Sequence, residues 1–181
     1  MQLPEIESER LILRCIEIED APDIFEYMQI DEVSDCLFSS CKTLEDTIKH
    51  IKVEFLSYEQ RELPSPYAIV LKESGKVIGT CNFHTADDTC GEIGFVLNPL
   101  YEHQGYMQES LFFLLEVGFD ILKFKRIQAM HIVGNLKSER CLKACGFVEE
   151  GILRSYYYKE DKPLDMKIYS VLESEWRKYY E

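Results

Sequence analysis

The sequence predicts an α/β (α+β) fold in which a mixed sheet carries helices on its faces. Runs of apolar residues with strand-like spacing alternate along the chain with amphipathic helical segments. Some of these strands follow one another as hairpins and others are separated by a helix, which predicts both antiparallel and parallel pairing. The length of 181 residues fits one domain, spanning residues 1–181, with one sizeable core.

The N-terminal region begins with a strand over residues 11–16. A first helix is expected from Asp20 to about Gln29, because proline is tolerated in a first helical turn. Residues 31–42 are expected to form a loop. Thr43 and Asp46 have the spacing of a capping box, which predicts a second helix from there to about residue 59.

The central region predicts a hairpin and a third strand. The strands cover residues 67–73 and 76–84, and Ser74-Gly75 supplies the turn between them. The third strand covers residues 92–97 and ends at Asn98-Pro99. An amphipathic helix then runs from Gly105 to about Leu122. The remaining elements are a strand over 126–133, a helix over 137–144, and strands over 148–157 and 165–172.

The composition limits the classes of function. The formal net charge is −13, which disfavours nucleic-acid binding and favours an amine or a basic peptide as partner, unless the charge serves only solubility. No apolar run is long enough to span a membrane, and the first residues lack the apolar stretch of a secretory signal, so a cytoplasmic location is expected.

The seven cysteines and four histidines do not predict a metal site. No CxxC motif is present, and the histidines lack zinc-ligand spacing relative to the cysteines. We therefore expect free thiols in a reducing compartment and no metal.

The segment around Gly105 is the candidate binding motif. A strand ends at Pro99, a short polar loop follows, and Gly105 opens the long helix. The first amides of a helix have no acceptor within the helix, and the helix dipole makes that end partly positive. A glycine there lets a phosphate approach the backbone. Many loops enter helices through a glycine, so this motif alone does not identify a function. A dinucleotide fold would need further glycines, which residues 103–109 lack.

An ordered set of short motifs covers nearly the whole chain. They are SERLILR (8–14), KVIG (76–79), EIGF (92–95), QGYM (104–107), Asn135 with Ser138, Gly146-Phe147, Asp165 with Tyr169-Ser170, and Glu175-Trp176. With this set the sequence resembles the GNAT superfamily of N-acetyltransferases, most of all the branch of ribosomal-protein N-terminal acetyltransferases.

The resemblance implies a fold and an activity. The fold is a twisted, mostly antiparallel mixed sheet of about seven strands with about four helices. The activity is transfer of an acetyl group from acetyl-CoA, a co-substrate, to a primary amine by direct attack in a ternary complex. The amine is that of a protein N-terminus or of a small molecule, and the enzyme is expected to be a monomer or a homodimer.

The resemblance also assigns residues to the cofactor. Phe95, Val96 and Leu97 would pair with the pantetheine arm, and Asn135 and Ser138 would lie near the thioester. The pyrophosphate would be bound by the turn at the start of the helix, which comprises Gln104, Gly105, Tyr106, Met107 and Gln108. The alternative interpretation of Asn135 is a loop residue that caps the helix beginning near Lys137.

Two positions depart from the family pattern. Glu102 stands where relatives carry a basic or amide residue, so either its side chain points away from the phosphates or the site is degraded. Leu142 stands where many relatives carry a tyrosine that acts as the general acid for the departing thiolate. These departures leave open a catalytically silent acyl-CoA-binding or interaction module as the alternative.

The catalytic roles follow from the resemblance. Glu92 is expected to be the general base that accepts the proton of the amine, through water. Ser138 is expected to donate a proton or hydrogen bond to the leaving thiolate. An exposed carboxylate at a strand end and a first-turn helix residue are the alternative interpretations of these two side chains.

Overall fold

The computed structural model describes residues 1–36 and 41–180, and within them the chain forms eight strands and six α-helices. The strands build an open, mostly antiparallel mixed sheet, which confirms the predicted fold class. The strands are β1 (Ile6–Glu7), β2 (Leu11–Cys15), β3 (Tyr67–Leu71), β4 (Lys76–Ala86), β5 (Cys90–Leu97), β6 (Arg126–Ile132), β7 (Val148–Lys159) and β8 (Lys162–Leu172).

The helices are α1 (Ala21–Met28), α2 (Asp31–Cys36), α3 (Leu44–His50), α4 (Tyr106–Glu116), α5 (Leu136–Ala144) and α6 (Glu173–Tyr180). Two of them continue into a π-helical turn: α3 through Ile51–Phe55 and α4 through Val117–Ile121. Single 3-10 turns precede α1 at Ile18–Asp20 and follow β5 at Pro99–Tyr101.

Contacts along the chain define two compact units. The first comprises Met1–Phe83 and Phe95–Ser110, and the second comprises His84–Gly94 and Leu111–Glu181. In the first unit, β1, β2, β3 and β4 pair antiparallel in chain order. In the second unit, β6 pairs parallel with β5 and antiparallel with β8, and β7 pairs antiparallel with β8.

The core of the first unit lies between α1 and the sheet. Ile24, Tyr27 and Met28 of α1 pack with Ala68 and Val70 of β3, and all five are buried. Apolar residues at helical spacing place these three α1 side chains on one face. Burial of each such side chain stabilises the unit by about 1.5–3 kcal/mol.

Local polar contacts fix the starts of the first helices. Thr43 Oγ1 accepts a hydrogen bond from the Asp46 amide at 3.1 Å, and the Asp46 carboxylate accepts one from the Thr43 amide at 2.9 Å, so the predicted capping box is present. Before α1, the buried Asp20 carboxylate accepts two hydrogen bonds from Arg14, at 2.7 and 2.8 Å. That hydrogen bonding raises the pKa of Arg14.

The second unit buries aromatic side chains. Trp176 of α6 contacts the rings of Phe112 and Phe119, with centroids 5.8 and 6.0 Å apart. His131 of β6 stacks on Tyr169 of β8 at 5.2 Å. These contacts tie α6 and the end of α4 together and tie β6 to β8.

Several elements differ from the sequence prediction. The loop expected over residues 31–42 is wrong for residues 31–36, which form α2, while residues 37–40 lie outside the described part of the chain. The helix α6 and the short strand β1 were not predicted. The strands β7 and β8 extend to Lys159 and Lys162, so they form a longer hairpin than expected.

The cysteines form no disulfide within the described part of the chain, and Cys41, Cys81 and Cys145 are buried. None of the helices in the described part of the chain combines the length and the hydropathy that a membrane span requires.

Candidate functional site

The glycine loop (residues 102–105) enters α4 through residues in the left-handed conformation. The φ angles of His103 and Gly105 are 62° and 81°, and α4 begins at Tyr106. The Glu109 amide donates to the Gly105 carbonyl at 3.0 Å, so the first helical hydrogen bond closes on Gly105. A left-handed residue followed by a right-handed one turns successive N–H groups to the same side. The backbone therefore has the geometry of an anion-binding turn at a helix N-terminus.

The side chains of this region contribute little positive charge. Residues 102–109 contain two carboxylates and no lysine or arginine. The Glu102 carboxylate lies 3.9 Å from Nε2 of His103, whose side chain is 85% exposed. Met107 is buried, whereas Gln104 and Gln108 are exposed. Within the loop and the first helical turn, an anion would therefore be bound mainly by backbone N–H groups.

The end of β5 is held in place by Asn98. Its backbone amide donates to the Ile78 carbonyl at 2.8 Å, and its side-chain oxygen accepts from the Leu100 amide at 3.0 Å. Its side-chain nitrogen donates to Glu26 at 2.9 Å. A hydrogen bond from Lys76, followed by that from Asn98, lowers the pKa of Glu26. The three residues before Asn98, namely Phe95, Val96 and Leu97, are half-buried.

Gly79 lets β4 approach this part of β5 closely. A Cβ atom at residue 79 would lie 2.5 Å from the Val96 carbonyl oxygen and 3.2 Å from Leu97 Cα. Both are backbone atoms, so the neighbouring strand would have to move. Glycine is therefore required for the position of the strand that is expected to pair with pantetheine.

In the second unit, Glu92 lies in a polar cluster on β4, β5 and β6. Its neighbour in the parallel register is Gln128, whose Nε2 donates to Glu92 Oε2 at 2.7 Å. Nε2 of His84 lies 3.5 Å from Glu92 Oε1. The Glu92 side chain is 13% exposed, which contradicts the interpretation of Glu92 as an exposed strand-end carboxylate.

An ion pair fixes the orientation of Gln128. Arg126 Nε donates to Gln128 Oε1 at 3.2 Å, so the amide nitrogen of Gln128 faces Glu92. Arg126 forms a fork with Glu150 at 2.7 and 2.6 Å, and the Ser170 hydroxyl donates to Glu150 at 2.7 Å. The Arg126 hydrogen bond, followed by that of Ser170, lowers the pKa of Glu150 to about 2. This series of hydrogen bonds from Ser170 to Glu92 therefore orients the Glu92 carboxylate, and its Oε2 atom is already engaged by Gln128.

Asn135 caps α5. Its side-chain oxygen accepts a hydrogen bond from the Ser138 amide at 3.1 Å, which satisfies a first-turn donor of the helix. Ser138 is half-buried in that first turn, and Leu142, one turn further on, is fully buried. The cap, which was the alternative interpretation of Asn135, is therefore present, and the side-chain oxygen of Asn135 is engaged in it.

The structure brings some candidate residues together with partners that the sequence did not indicate. Gln104, Gly105 and Tyr106 adjoin Arg10 in the first unit. Glu92 adjoins His84 and Gln128 in the second. These contacts join residues far apart in the chain, so no local pattern indicates them. Over residues 1–36 and 41–180, no group of three or more His, Cys, Asp or Glu side chains could hold a metal ion.

Comparison with known proteins gives consistent matches. The family model for the acetyltransferase (GNAT) domain matches residues 10–148. The uncharacterized N-acetyltransferase YoaA of Bacillus subtilis is 31% identical over 172 residues, which cover 93% of this chain and 97% of YoaA. A GNAT-family acetyltransferase structure from Bacillus anthracis superimposes with a TM-score of 0.84 at 26% identity, covering 94% and 99% of the two chains. RimL, a ribosomal L7/L12 α-N-protein acetyltransferase solved with coenzyme A, shares the fold at 21% identity, with a TM-score of 0.81 and coverage of 93% and 98%.

Proposed function

Since the chain belongs to the GNAT acetyltransferases and is an acetyl-CoA-dependent N-acetyltransferase, we propose that it acetylates a primary α-amine by direct attack in a ternary complex. The acceptor is a protein N-terminus or a small amine. The single observation that supports the proposal most strongly is the glycine loop, whose left-handed Gly105 presents the start of α4 as an anion-binding turn.

For the cofactor, we assign the diphosphate to the backbone of residues 104–108. Because an anionic ligand is favoured by the helix dipole and by amides without helical acceptors, this turn suits a diphosphate. We assign the pantetheine arm to Phe95, Val96 and Leu97, where main-chain groups of β5 would pair with it as with an added strand. Asn135 and the first turn of α5 would contribute near the thioester.

Glu92 is the proposed general base. The amine must lose a proton to attack the thioester carbonyl, and a carboxylate can accept that proton directly or through one water. Oε2 of Glu92 is engaged by Gln128, so Oε1 is the oxygen that would accept the proton. His84, 3.5 Å from Oε1, lies on that side of the carboxylate.

Ser138 is the proposed donor to the departing thiolate. Its amide is occupied by the Asn135 cap, and its hydroxyl is the group that would donate. Leu142 cannot act as an acid, because its side chain is apolar and fully buried. The amine nitrogen would bond to the acetyl carbon and the bond from that carbon to sulfur would break. Glu92 would take the proton of the amine, Ser138 would give its proton to the departing sulfur, and the proton held by Glu92 would then return to Ser138 through water, so the net products are the amide and free coenzyme A.

The preference for an α-amine follows from proton affinity. With pKa values of about 8 for an α-amine and about 10.4 for a lysine side chain, about a quarter of the α-amine but only about 0.1% of the lysine is neutral at pH 7.5. An α-amine is therefore much easier than a lysine side chain for a general base such as Glu92 to deprotonate at this pH. The acidic surface, with a net charge of −13, favours basic peptides among such acceptors.

A thiol-release assay with acetyl-CoA and matched peptides tests the proposal. One peptide has a free N-terminus and an acetylated lysine, and its control has an acetylated N-terminus and a free lysine. We expect thiol release and N-terminal acetylation with the first peptide and little with the second. Equal rates, or faster reaction of the lysine peptide, would contradict the α-amine assignment. Binding of coenzyme A without transfer to any peptide or small amine would contradict turnover itself.

A further inference from the structure

The glycine loop and the first turn of α4 bind a diphosphate in the proposed function, yet they carry net negative charge. Glu102 and Glu109 flank the turn, and no lysine or arginine lies between them in the sequence. Two carboxylates beside an incoming polyanion raise the free energy of binding. A positive charge is therefore expected from elsewhere in the first unit.

Arg10, just before β2, contacts the turn on both sides of Gly105. Its Nη1 donates to the Gln104 carbonyl at 2.9 Å, and its Nε donates to Glu109 Oε2 at 2.9 Å. Nη2 forms an ion pair with the same carboxylate. The guanidinium carbon lies 4.6 Å from the centroid of the Tyr106 ring.

Two further contacts fix this arrangement. Ser8 Oγ donates to the second oxygen of Glu109 and accepts a hydrogen bond from the Arg10 amide at 3.1 Å. Nη2 of Arg10 lies 3.6 Å from the position that a Cβ atom would take on Gly105, so the guanidinium lies beside the left-handed residue of the turn. The Arg10 side chain is 42% exposed, which keeps its charge accessible to a ligand.

From these contacts we infer that Arg10 is a positioning residue for the diphosphate of acetyl-CoA. It neutralises Glu109 and holds the Gln104 carbonyl, so that the amides of the turn face the ligand. A planar guanidinium can make these contacts at once because it has five donors in a fixed fork. This inference rests on the proposed function and adds a residue to its cofactor site.

A purely structural role for Arg10, in which it only ties β2 to α4, predicts something different. Loss of that tie would weaken every ligand of the enzyme alike. Loss of a residue that acts on the diphosphate would weaken coenzyme A and leave pantetheine, which has no diphosphate, unaffected. The two ligands therefore separate the two roles.

The test measures the affinity of Arg10→Met for coenzyme A by calorimetry and for pantetheine by NMR titration. Arg61→Met is the matched control. It removes the same charge from an arginine in similar surroundings. Nη1 of Arg61 lies 3.7 Å from Glu54 Oε2, its guanidinium carbon lies 5.2 Å from the Tyr58 ring centroid, and its side chain is 46% exposed. We expect Arg10→Met to bind coenzyme A about tenfold more weakly, the scale of one lost charge-assisted interaction, with unchanged pantetheine affinity. Arg61→Met should match the wild type with both ligands.

Arg10→Lys keeps the test decisive if Arg10→Met does not fold. Lysine keeps the charge but cannot bridge Glu109 and the Gln104 carbonyl as a fork, so we expect a smaller loss for coenzyme A and none for pantetheine. Wild-type affinity for coenzyme A in both Arg10 variants, or an equal loss for both ligands, would overturn the role of Arg10. Failure of the wild type to bind coenzyme A would instead overturn the proposed function, and this inference with it.

Discussion

Replacing Gly79 by alanine should displace the strand that is proposed to bind pantetheine. The added Cβ atom would lie 2.5 Å from the Val96 carbonyl oxygen, so the backbone must retreat by about 0.9 Å to restore an ordinary contact of 3.4 Å. Overpacking of this kind costs about 1–3 kcal/mol. For a chain of this size the melting temperature should therefore fall by about 3–9 °C. Because a shift near 1 Å also misplaces the main-chain partners of the cofactor, kcat/KM for acetyl-CoA should fall by about 10–100-fold.

Thermal unfolding and steady-state kinetics measure the two effects separately. Gly75→Ala is the control, because its added Cβ meets no atom within 4 Å although its φ of 71° is strained for alanine. That strain costs about 1–2 kcal/mol, so the control should lose stability but keep kcat/KM. Wild-type melting and wild-type kcat/KM in Gly79→Ala would refute the close approach of β4 and β5. Equal losses of kcat/KM in both variants would show that the effect is general destabilisation.

Three further predictions concern the second unit. Gln128→Leu removes the hydrogen bond that orients the Glu92 carboxylate, so kcat should fall by about tenfold while KM for acetyl-CoA stays unchanged in steady-state kinetics. The exposed Gln29→Leu should keep the wild-type kcat, and a wild-type kcat in Gln128→Leu would contradict the positioning of Glu92. Ser138→Ala should lower kcat by about 100-fold and preserve KM for acetyl-CoA in steady-state kinetics. Normal kcat would remove Ser138 from the mechanism. The pKa of Glu150, held at about 2 against an ordinary 4.5, means that its contribution to stability is complete above pH 4.5 and is lost as pH falls towards 2. In urea unfolding, the free energy of unfolding of Glu150→Gln should depend less on pH over this range than that of the wild type. An identical pH dependence in the two proteins would contradict the ion pair of Glu150 with Arg126.

The regular elements could be predicted because their signals are local. The capping box at Thr43 and the turn at Ser74-Gly75 depend on neighbouring residues, and both lie where the sequence indicates. The sequence does not predict the helix α2, because Asp31–Cys36 is short and has few apolar residues at helical spacing. Its buried Val33 joins the core of the first unit, so tertiary packing rather than propensity stabilises this helix.

The candidate site was only partly predictable for the same reason. Gly105 can be recognised as a glycine at a helix start, and a cap at Asn135 can be recognised because this polar residue stands just before a predicted helix. The contact between Gln128 and Glu92 depends on the register of two parallel strands. Arg10 reaches Glu109 across 99 positions of sequence, and no pattern within either segment indicates the pair.

Amide NMR spectra recorded with coenzyme A and with pantetheine test whether the backbone at the start of α4 binds the diphosphate. We expect the amide signals of Gly105, Tyr106 and Met107 to shift strongly with coenzyme A and little with pantetheine. Signals that stay in place at saturating coenzyme A, or that shift equally with both ligands, would contradict it.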